Sequence, residues 1–269
     1  MALTIKDHCF VEVDIRKAEK NKQLFQANQL DTIVIHYTAG ASAESSIRSL
    51  EDDSTQASAH LVVARDGKIT QLVPFNTIAW HAGRSQFGNR VGFNRYSIGI
   101  EIDNAGVLEK RGDKFYSWFN KAYDAEDVVY AVHRNEKTPR YWHAFTQEQI
   151  TRVQEICRTL VQNYQLKYIL GHEEISPGRK IDPGPAFPLD KLREWIFGGS
   201  RDSDEPERPR NEGFVNTDLL NIRTEASTNA DKVAKPLTKG QRVRILAAKD
   251  GWYKVSTEVT GWVSAKYIE

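Results

Sequence analysis

The segment GHEEISPGRKIDPGPAFP, residues 171–188, carries a histidine and an aspartate within a turn-rich stretch. Proline and glycine recur between and after these two residues, at Pro177, Gly178, Pro183, Gly184 and Pro185. Because both residue types favour tight turns, a loop of this composition can fold back on itself. We therefore expect the side chains of His172 and Asp182 to meet at one point, as two ligands of a metal ion.

A third ligand lies upstream in IVIHYTAG, residues 33–40, where an apolar strand-like run ends at His36. Two imidazoles and one carboxylate give zinc three protein ligands and leave the fourth position for water, as in catalytic zinc sites. The net positive charge of such a site lowers the pKa of the bound water. The sequence therefore predicts one catalytic Zn²⁺ per chain, held by His36, His172 and Asp182.

Two further charged residues are candidates for the chemistry of this site. An attacking water needs a proton acceptor that is not a metal ligand, and Glu101, near the end of SIGIEI (residues 97–102), is the best-placed carboxylate. Lys180 precedes Asp182 by two residues and could stabilise an oxyanion. The alternative interpretations are a strand-end charge for Glu101 and a solvated loop residue for Lys180.

Strand-like and helix-like patterns alternate through residues 1–197. The Asp66-Gly67 dipeptide predicts a hairpin turn, and Thr146 with Gln149 forms a capping box before apolar residues at helical spacing. Such alternation predicts an α/β layer structure with ligands gathered at strand ends. The predicted strands and hairpin cover residues 32–35, 60–73, 97–102 and 168–171, and the predicted helices lie around 45–50, 150–164 and 189–197.

Two stretches depart from this alternation. Residues 103–144 combine mixed charge with weak periodicity, which indicates a surface insertion that could shape a groove or merely cover it. Residues 198–212 contain two glycines, two prolines and dense charge, which predicts a linker. Short β-like runs at turn-sized spacing follow in residues 213–269 and predict a small all-β barrel. We therefore expect a catalytic domain at 1–197 and a second domain at 213–269.

Composition excludes several classes of protein. The 37 Lys and Arg residues balance 36 Asp and Glu residues, so no global field favours nucleic acid. Cys9 and Cys157 cannot build a disulfide framework or a cysteine zinc cluster. Charges interrupt the apolar runs near the N-terminus, and no segment has the length of a membrane helix. The sequence therefore predicts no secretory signal and no membrane insertion.

Five motifs, taken in order, resemble the zinc N-acetylmuramoyl-L-alanine amidases, a family shared by phage amidases, bacterial muropeptide amidases and peptidoglycan recognition proteins. They are IVIHYTAG, SAHLVVARDGKITQLV, AWHAG, SIGIEI and GHEEISPGRKIDPG. The resemblance implies a mixed central β-sheet flanked by helices, and His36, His172 and Asp182 as zinc ligands. It also implies a peptidoglycan substrate, cleaved between the lactyl group of N-acetylmuramic acid and L-alanine.

The resemblance also assigns roles to other residues. Some members place a catalytic tyrosine where this chain has Ala59, so the chain resembles the branch in which a glutamate and a lysine act, here Glu101 and Lys180. Substrate-binding roles are expected for Trp80 and His81 in AWHAG. His60 is expected beside the substrate or as a buried structural histidine, and Arg179 could hold a peptide carboxylate.

The C-terminal stretch resembles bacterial SH3-like domains, which commonly bind cell-wall peptides, in its LNIR, GWYKV and GWVSAKYI segments. Trp252, Tyr253 and Trp262 are candidates for a wall-binding face, although such aromatic residues also fill the core of a small barrel.

Two other functional classes compete with the amidase hypothesis. A groove that binds peptidoglycan without cleaving it would need no metal. A serine hydrolase is disfavoured because the chain has no GxSxG motif. The biological setting is expected to be a phage or prophage lysin that reaches the wall after lysis or non-classical release, with cytoplasmic recycling of muropeptides as the alternative.

Overall fold

A computed structural model of the chain describes residues 3–198, 212–215, 219–227, 229–238, 240–249 and 252–257. The chain divides into two compact units, Met1–Arg201 and Asp202–Glu269. In the described residues, no helix combines the length and apolar character needed to span a bilayer.

Fifteen strands belong to the first unit as described. In chain order they are β1 (Ile5–Lys6), β2 (Cys9–Phe10), β3 (Asp14–Ile15), β4 (Thr32–Tyr37), β5 (Leu61–Val63), β6 (Ile69–Gln71), β7 (Gln86–Phe87), β8 (Arg90–Val91), β9 (Ser97–Ile102), β10 (Val107–Arg111), β11 (Lys114–Tyr116), β12 (Ala122–Tyr123), β13 (Val128–Val132), β14 (Pro139–His143) and β15 (Tyr168–Gly171).

The helices that begin at Ala43 and Gln147 each start after a capping box. The predicted capping box is confirmed, since the Thr146 side chain accepts from Gln149 N and the Gln149 side chain accepts from Thr146 N. These contacts satisfy backbone donors that the first helical turn cannot pair. The α-helices are α1 (Ala43–Glu51), α2 (Gln147–Tyr164), α3 (His172–Ile175) and α4 (Leu189–Phe197), and two 3₁₀ turns cover Phe93–Arg95 and Ala125–Asp127.

The main sheet has the strand order β15-β4-β9-β5-β6-β3. β4 lies between β15 and β9 and is parallel to both, whereas β5 and β6 form the predicted antiparallel hairpin. The sheet is therefore mixed and flanked by helices, as the sequence predicts.

Alternate residues of the central strands face opposite layers. Ile33 and Ile35 of β4 pack in the core that also contains buried residues of α2 and α4. Val34 packs in a separate cluster, and His36 follows it by two positions. Because side chains alternate along a strand, His36 lies on the face opposite the α2 and α4 core. The same alternation in β9 places Glu101 on the face of His36.

The insertion at residues 103–144 is more regular than its sequence indicates. It forms an antiparallel sheet of order β12-β11-β10-β14-β13 with a small core of its own. That core contains Ala105, Leu108, Phe115 and Tyr123. The insertion is therefore an ordered structural layer of the first unit.

The described part of the second unit is all β. Glu212–Phe214, Arg242–Lys249 and Trp252–Ser256 form a three-stranded antiparallel sheet, and Leu219–Leu220 pairs with Leu237–Thr238. Its apolar cluster contains Val215, Leu237 and Val243, with Ile222 and Val255 packed against them. The GWVS strand predicted from the sequence lies outside the described residues.

Candidate metal centre

Three side chains from two parts of the first unit converge on one point. His36 lies near the end of β4, His172 begins α3, and Asp182 lies in the loop after α3. The two Nδ1 atoms are 2.9 Å apart, and each lies 3.0 Å from Asp182 Oδ2. All three residues are buried. The predicted convergence of the strand end with the proline-glycine loop is thus confirmed as geometry.

A chain of hydrogen bonds fixes the orientation of the His36 ring. His81 Nε2 lies 3.2 Å from the Ser97 carbonyl oxygen, which can only accept, so this nitrogen carries the hydrogen. His81 Nδ1 is then the acceptor for His36 Nε2, at 3.0 Å. His36 Nδ1 is left with a lone pair directed at His172 and Asp182. Burial lowers the pKa of His36 to about 4, and the neighbouring His172 acts in the same direction, so the ring is neutral at pH 7.

The His172 ring is oriented by a similar contact. Its Nε2 lies 3.2 Å from the Ala82 carbonyl oxygen and must donate to it. In the neutral tautomer with its hydrogen on Nε2, His172 presents an Nδ1 lone pair to Asp182. Asp182 Oδ2 lies 3.0 Å from both Nδ1 atoms and adds a third lone pair to the group.

These donors fit a metal cation. In these tautomers, the Nδ1 atoms of the two imidazoles and one carboxylate oxygen face each other at 2.9 to 3.0 Å as three lone-pair donors. Such an arrangement is repulsive unless a cation lies between the donors. Zinc takes imidazole nitrogen and carboxylate oxygen as ligands, and this donor set leaves its fourth position open. The residues that could hold a metal are therefore His36, His172 and Asp182.

Glu101 lies beside the donors and has an unused oxygen. The register of β4 and β9 pairs Glu101 with His36. Glu101 Oε2 is buried and has no hydrogen-bond partner within the part of the chain that the structure describes. Burial raises the pKa of Glu101 well above its ordinary value and the charge of Asp182 adds to this, whereas Lys180 acts in the opposite direction. A buried, unpartnered carboxylate oxygen is suited to receive a proton from a bound molecule.

A cavity of about 720 Å³ opens over these groups. Its lining includes the three donors, Glu101 and Lys180. Lys180 is held in the loop by its backbone N–H, which donates to Ser176 O. The structure therefore brings together, around one cavity, all five residues to which the sequence assigns metal binding or catalysis.

Of the residues expected to bind substrate, Trp80, His81 and Arg179 line the cavity, and His60 is not among its lining residues. Trp80 lines the cavity and is 37% exposed. His81 also borders the cavity, but both of its ring nitrogens are engaged inside the protein, so its contacts indicate that it positions His36. His60 is buried, accepts from Gly99 N at Nδ1 and donates to Thr77 O from Nε2. A histidine with both nitrogens satisfied in the core has no group to offer a substrate, so His60 is the structural histidine of the two expectations.

Arg179 is exposed and lines the cavity, and one of its guanidinium nitrogens is engaged within the protein. Its Nη2 donates to the carbonyl oxygens of Ala82 and Arg84 and to Ser176 Oγ. The guanidinium therefore ties the ligand loop to the AWHAG segment. A bidentate contact with a peptide carboxylate would compete with these three bonds.

The proposed wall-binding residues are only partly described. Tyr253 is 60% exposed, whereas Trp252 is half-buried at the start of its strand. Trp262 lies outside the described residues. Tyr253 therefore has the exposure expected of a binding residue, and its role remains a prediction.

Two supporting contacts were not expected from the sequence. A Cβ on Gly99 would lie 2.3 Å from the His81 ring, so only glycine leaves room for that ring against β9. Buried Glu173, next to His172, accepts from His133 Nε2 at 2.6 Å and from Gly184 N at 3.0 Å. His133 thus links the insertion to the ligand loop, and Glu173 links the His172 end of that loop to its Asp182 end. Residue spacing along the sequence predicts neither the contact of Gly99 with His81 nor that of His133 with Glu173.

The fold and the site together define a class of protein, a mixed α/β domain with two histidines and one aspartate gathered at one face of its sheet. Residues 26–185 match the family described as N-acetylmuramoyl-L-alanine amidase, and residues 218–269 match the bacterial SH3 domain. The chain belongs to the N-acetylmuramoyl-L-alanine amidase family.

Individual relatives agree with this assignment. The chain is 31% identical over 184 residues to the N-acetylmuramoyl-L-alanine amidase AmiD of Escherichia coli strain K12, which covers 65% of this chain and 56% of AmiD. It is 33% identical over 143 residues to the 1,6-anhydro-N-acetylmuramyl-L-alanine amidase AmpD of the same strain, which covers 52% of this chain and 59% of AmpD. The chain therefore spans little more than half the length of these relatives.

A solved structure supports the fold. The crystal structure of a selenomethionine AmpD derivative matches 72% of this chain and 99% of its own, with a TM-score of 0.52 and 22% identity. At that identity the likeness concerns the fold alone.

Proposed function

We propose that this protein is a zinc-dependent N-acetylmuramoyl-L-alanine amidase, which hydrolyses the amide between N-acetylmuramic acid and L-alanine of peptidoglycan stem peptides. The observation that carries this proposal is the cluster of three lone pairs beside the unpartnered oxygen of Glu101. Family membership supplies the bond to be cleaved.

The residues divide the work as follows. His36, His172 and Asp182 would hold one zinc ion. When bound, zinc supplies Lewis acidity, which makes a water molecule more acidic and polarises a carbonyl group. Glu101 Oε2 accepts the proton of the attacking water and returns it to the leaving amine of L-alanine. The Lys180 ammonium stabilises the negative charge that develops on the carbonyl oxygen.

Purified protein with zinc should release stem peptides with a free L-alanine amine from muropeptides, as detected by mass spectrometry. His36→Ala and Asp182→Ala should lose bound zinc and activity together. Glu101→Gln should keep the zinc and lose about 10²–10⁴-fold in turnover, because only the proton acceptor is removed. Glu109→Gln, an exposed carboxylate of the insertion, is the control and should match the unchanged protein.

Two outcomes would contradict the proposal. Cleavage that persists at an unchanged rate after chelation would exclude the zinc mechanism. A zinc-loaded protein that binds muropeptides and releases no peptide would instead support a binding protein without catalysis.

The physical form of the substrate is a separate question. AmpD is named for the 1,6-anhydro sugar, which favours soluble muropeptides and a recycling role. The SH3-domain match favours polymeric wall. The relatives lend no specific support to the phage-lysin setting expected from the sequence. We expect a recycling enzyme to turn over soluble anhydro-muropeptides faster than intact sacculi, and the opposite ratio in matched assays would favour a lysin.

A further inference from the structure

One exposed tryptophan of the insertion sheet lies at the rim of the cavity. Trp118 is in the turn between β11 and β12 and is 74% exposed. Its indole Nε1 donates to Ala39 O at 2.8 Å. Ala39 follows β4, the strand that carries His36, so this bond ties the ring to the chain segment of the metal centre. The residue belongs to none of the five family-like motifs.

The turn that carries Trp118 is held by its own hydrogen bonds. Ser117 N donates to Lys121 O at 3.0 Å, and Asn120 N donates to Ser117 O at 2.9 Å. The Phe119 ring lies edge-on to the indole, with centroids 5.5 Å apart. An exposed aromatic ring that is anchored at its N–H and supported at its edge loses little conformational freedom when a ligand stacks on it. Trp118 is therefore a preorganised flat surface.

The walls of the cavity differ in charge. Charged side chains of the lining come from β9 and from the ligand loop, namely Glu101, Arg179, Lys180 and Asp182. Helix α1 contributes Ser45, Ser46 and Ser49, and the β11–β12 turn contributes Trp118 and Phe119. These two elements thus bring only hydroxyl, apolar and aromatic groups to the lining. Uncharged aromatic and hydroxyl groups suit a neutral sugar ring, whereas a charged peptide would need ionic partners.

We propose that the Trp118 indole is a stacking platform for a pyranose ring of the glycan part of the substrate, in a subsite beside the metal centre. The inference rests on the proposed function for the identity of the substrate. The C–H face of a sugar covers the apolar face of the indole. Sugar hydroxyl groups donate to Ser45 Oγ and Ser46 Oγ, whose own hydrogens are donated to Ser42 O. The insertion would thereby add glycan affinity that the five family-like motifs do not provide.

Two ligands without the scissile amide test this platform independently of catalysis. One is the disaccharide N-acetylglucosaminyl-N-acetylmuramic acid, and the other is the free stem tetrapeptide. In the full-length protein, the disaccharide should shift the NMR signal of the Trp118 indole N–H, which is assigned by its loss in Trp118→Phe. Trp118→Ala should weaken disaccharide binding about tenfold and leave tetrapeptide binding unchanged. Trp118→Phe should retain part of the affinity.

Trp195→Ala is the matched control, because Trp195 is also exposed, at 45%, and lies on α4 outside the cavity lining. It should leave both affinities unchanged. Circular dichroism and Tm must show that each variant is folded, and Trp118→Phe decides the test if the alanine variant is not. Absence of disaccharide binding by the unchanged protein, equal disaccharide affinity in folded variants, or a loss confined to the tetrapeptide would overturn the platform. Disaccharide binding through Trp118 in a protein that cleaves no muropeptide would refute the proposed function and leave the platform standing.

Discussion

His81 shows how a single residue controls a metal site that it does not enter. Its Nδ1 accepts the outer hydrogen of His36, and this leaves the inner nitrogen of His36 as a lone-pair donor. Without that acceptor the His36 ring is free to rotate or to change tautomer. The partner behind a ligand histidine therefore contributes to metal affinity.

We expect His81→Ala to lower zinc affinity about 10–100-fold, because His36 loses the contact that orients it. A competition titration with a chromophoric chelator measures this affinity directly. His8→Ala is the control, since His8 is exposed and contacts Tyr164. If His81→Ala bound zinc as tightly as the unchanged protein, the orienting role would be wrong.

The sequence predicts the three metal-binding residues better than it predicts the residues that hold them in place. His172 and Asp182 share one turn-rich loop, and His36 ends an apolar run, so residue type and local pattern suffice for them. The role of His81 depends on which of its ring nitrogens donates a hydrogen bond to Ser97 O. The role of Arg179 toward a peptide carboxylate stays a prediction, and the bonds from its Nη2 to Ala82 O and Arg84 O were not predicted. The spacing of residues along the sequence does not predict hydrogen bonds between residues that are far apart in it.

At the level of elements, the insertion sheet stabilises the ligand loop through Glu173. This carboxylate is 1% exposed and lies within hydrogen-bond distance of His133, Arg134 and Gly184. Removal of one partner from such a buried network leaves the others uncompensated.

Glu173→Ala should therefore lower the free energy of unfolding by about 3 kcal/mol or more in urea titrations. Glu136→Ala removes a carboxylate from a partly exposed ion pair with Arg140 in the same sheet and should cost about 1 kcal/mol or less. Similar losses in the two variants would show that the insertion does not brace the loop.

Buried strands were predicted from the sequence more readily than exposed strands. β4 and β9 are buried along nearly their whole length and have continuous apolar sequences, and α2 has its capping box, so these elements were predicted. The strands of the insertion are short, and β10 buries one residue of its five. Exposed strand faces carry charged residues, which mask the alternation that identifies a strand. The fold of residues 103–144 was therefore missed.

For the whole molecule, the metal centre couples ligand binding to folding. The three donors meet only in the folded first unit, so zinc should bind the native state and not the unfolded chain. Removal of zinc should lower stability by about 4 kcal/mol if the metal was present at a thousand times its Kd. Differential scanning calorimetry with and without a chelator measures this as a fall in Tm. Asp182→Ala is the control, and its Tm should not respond to the chelator.

The alternation of β4 limits which length changes this family member can accept. Ile33 and Ile35 face the helices, and His36 faces the cavity, within one uninterrupted strand. Deletion of one β4 residue before His36 would reverse the faces of the strand. The His36 side chain would then point into the apolar core, and an isoleucine would point toward the metal centre. Deletions in natural or engineered variants should therefore collect in the loops before and after the strand, while β4 keeps its number of residues.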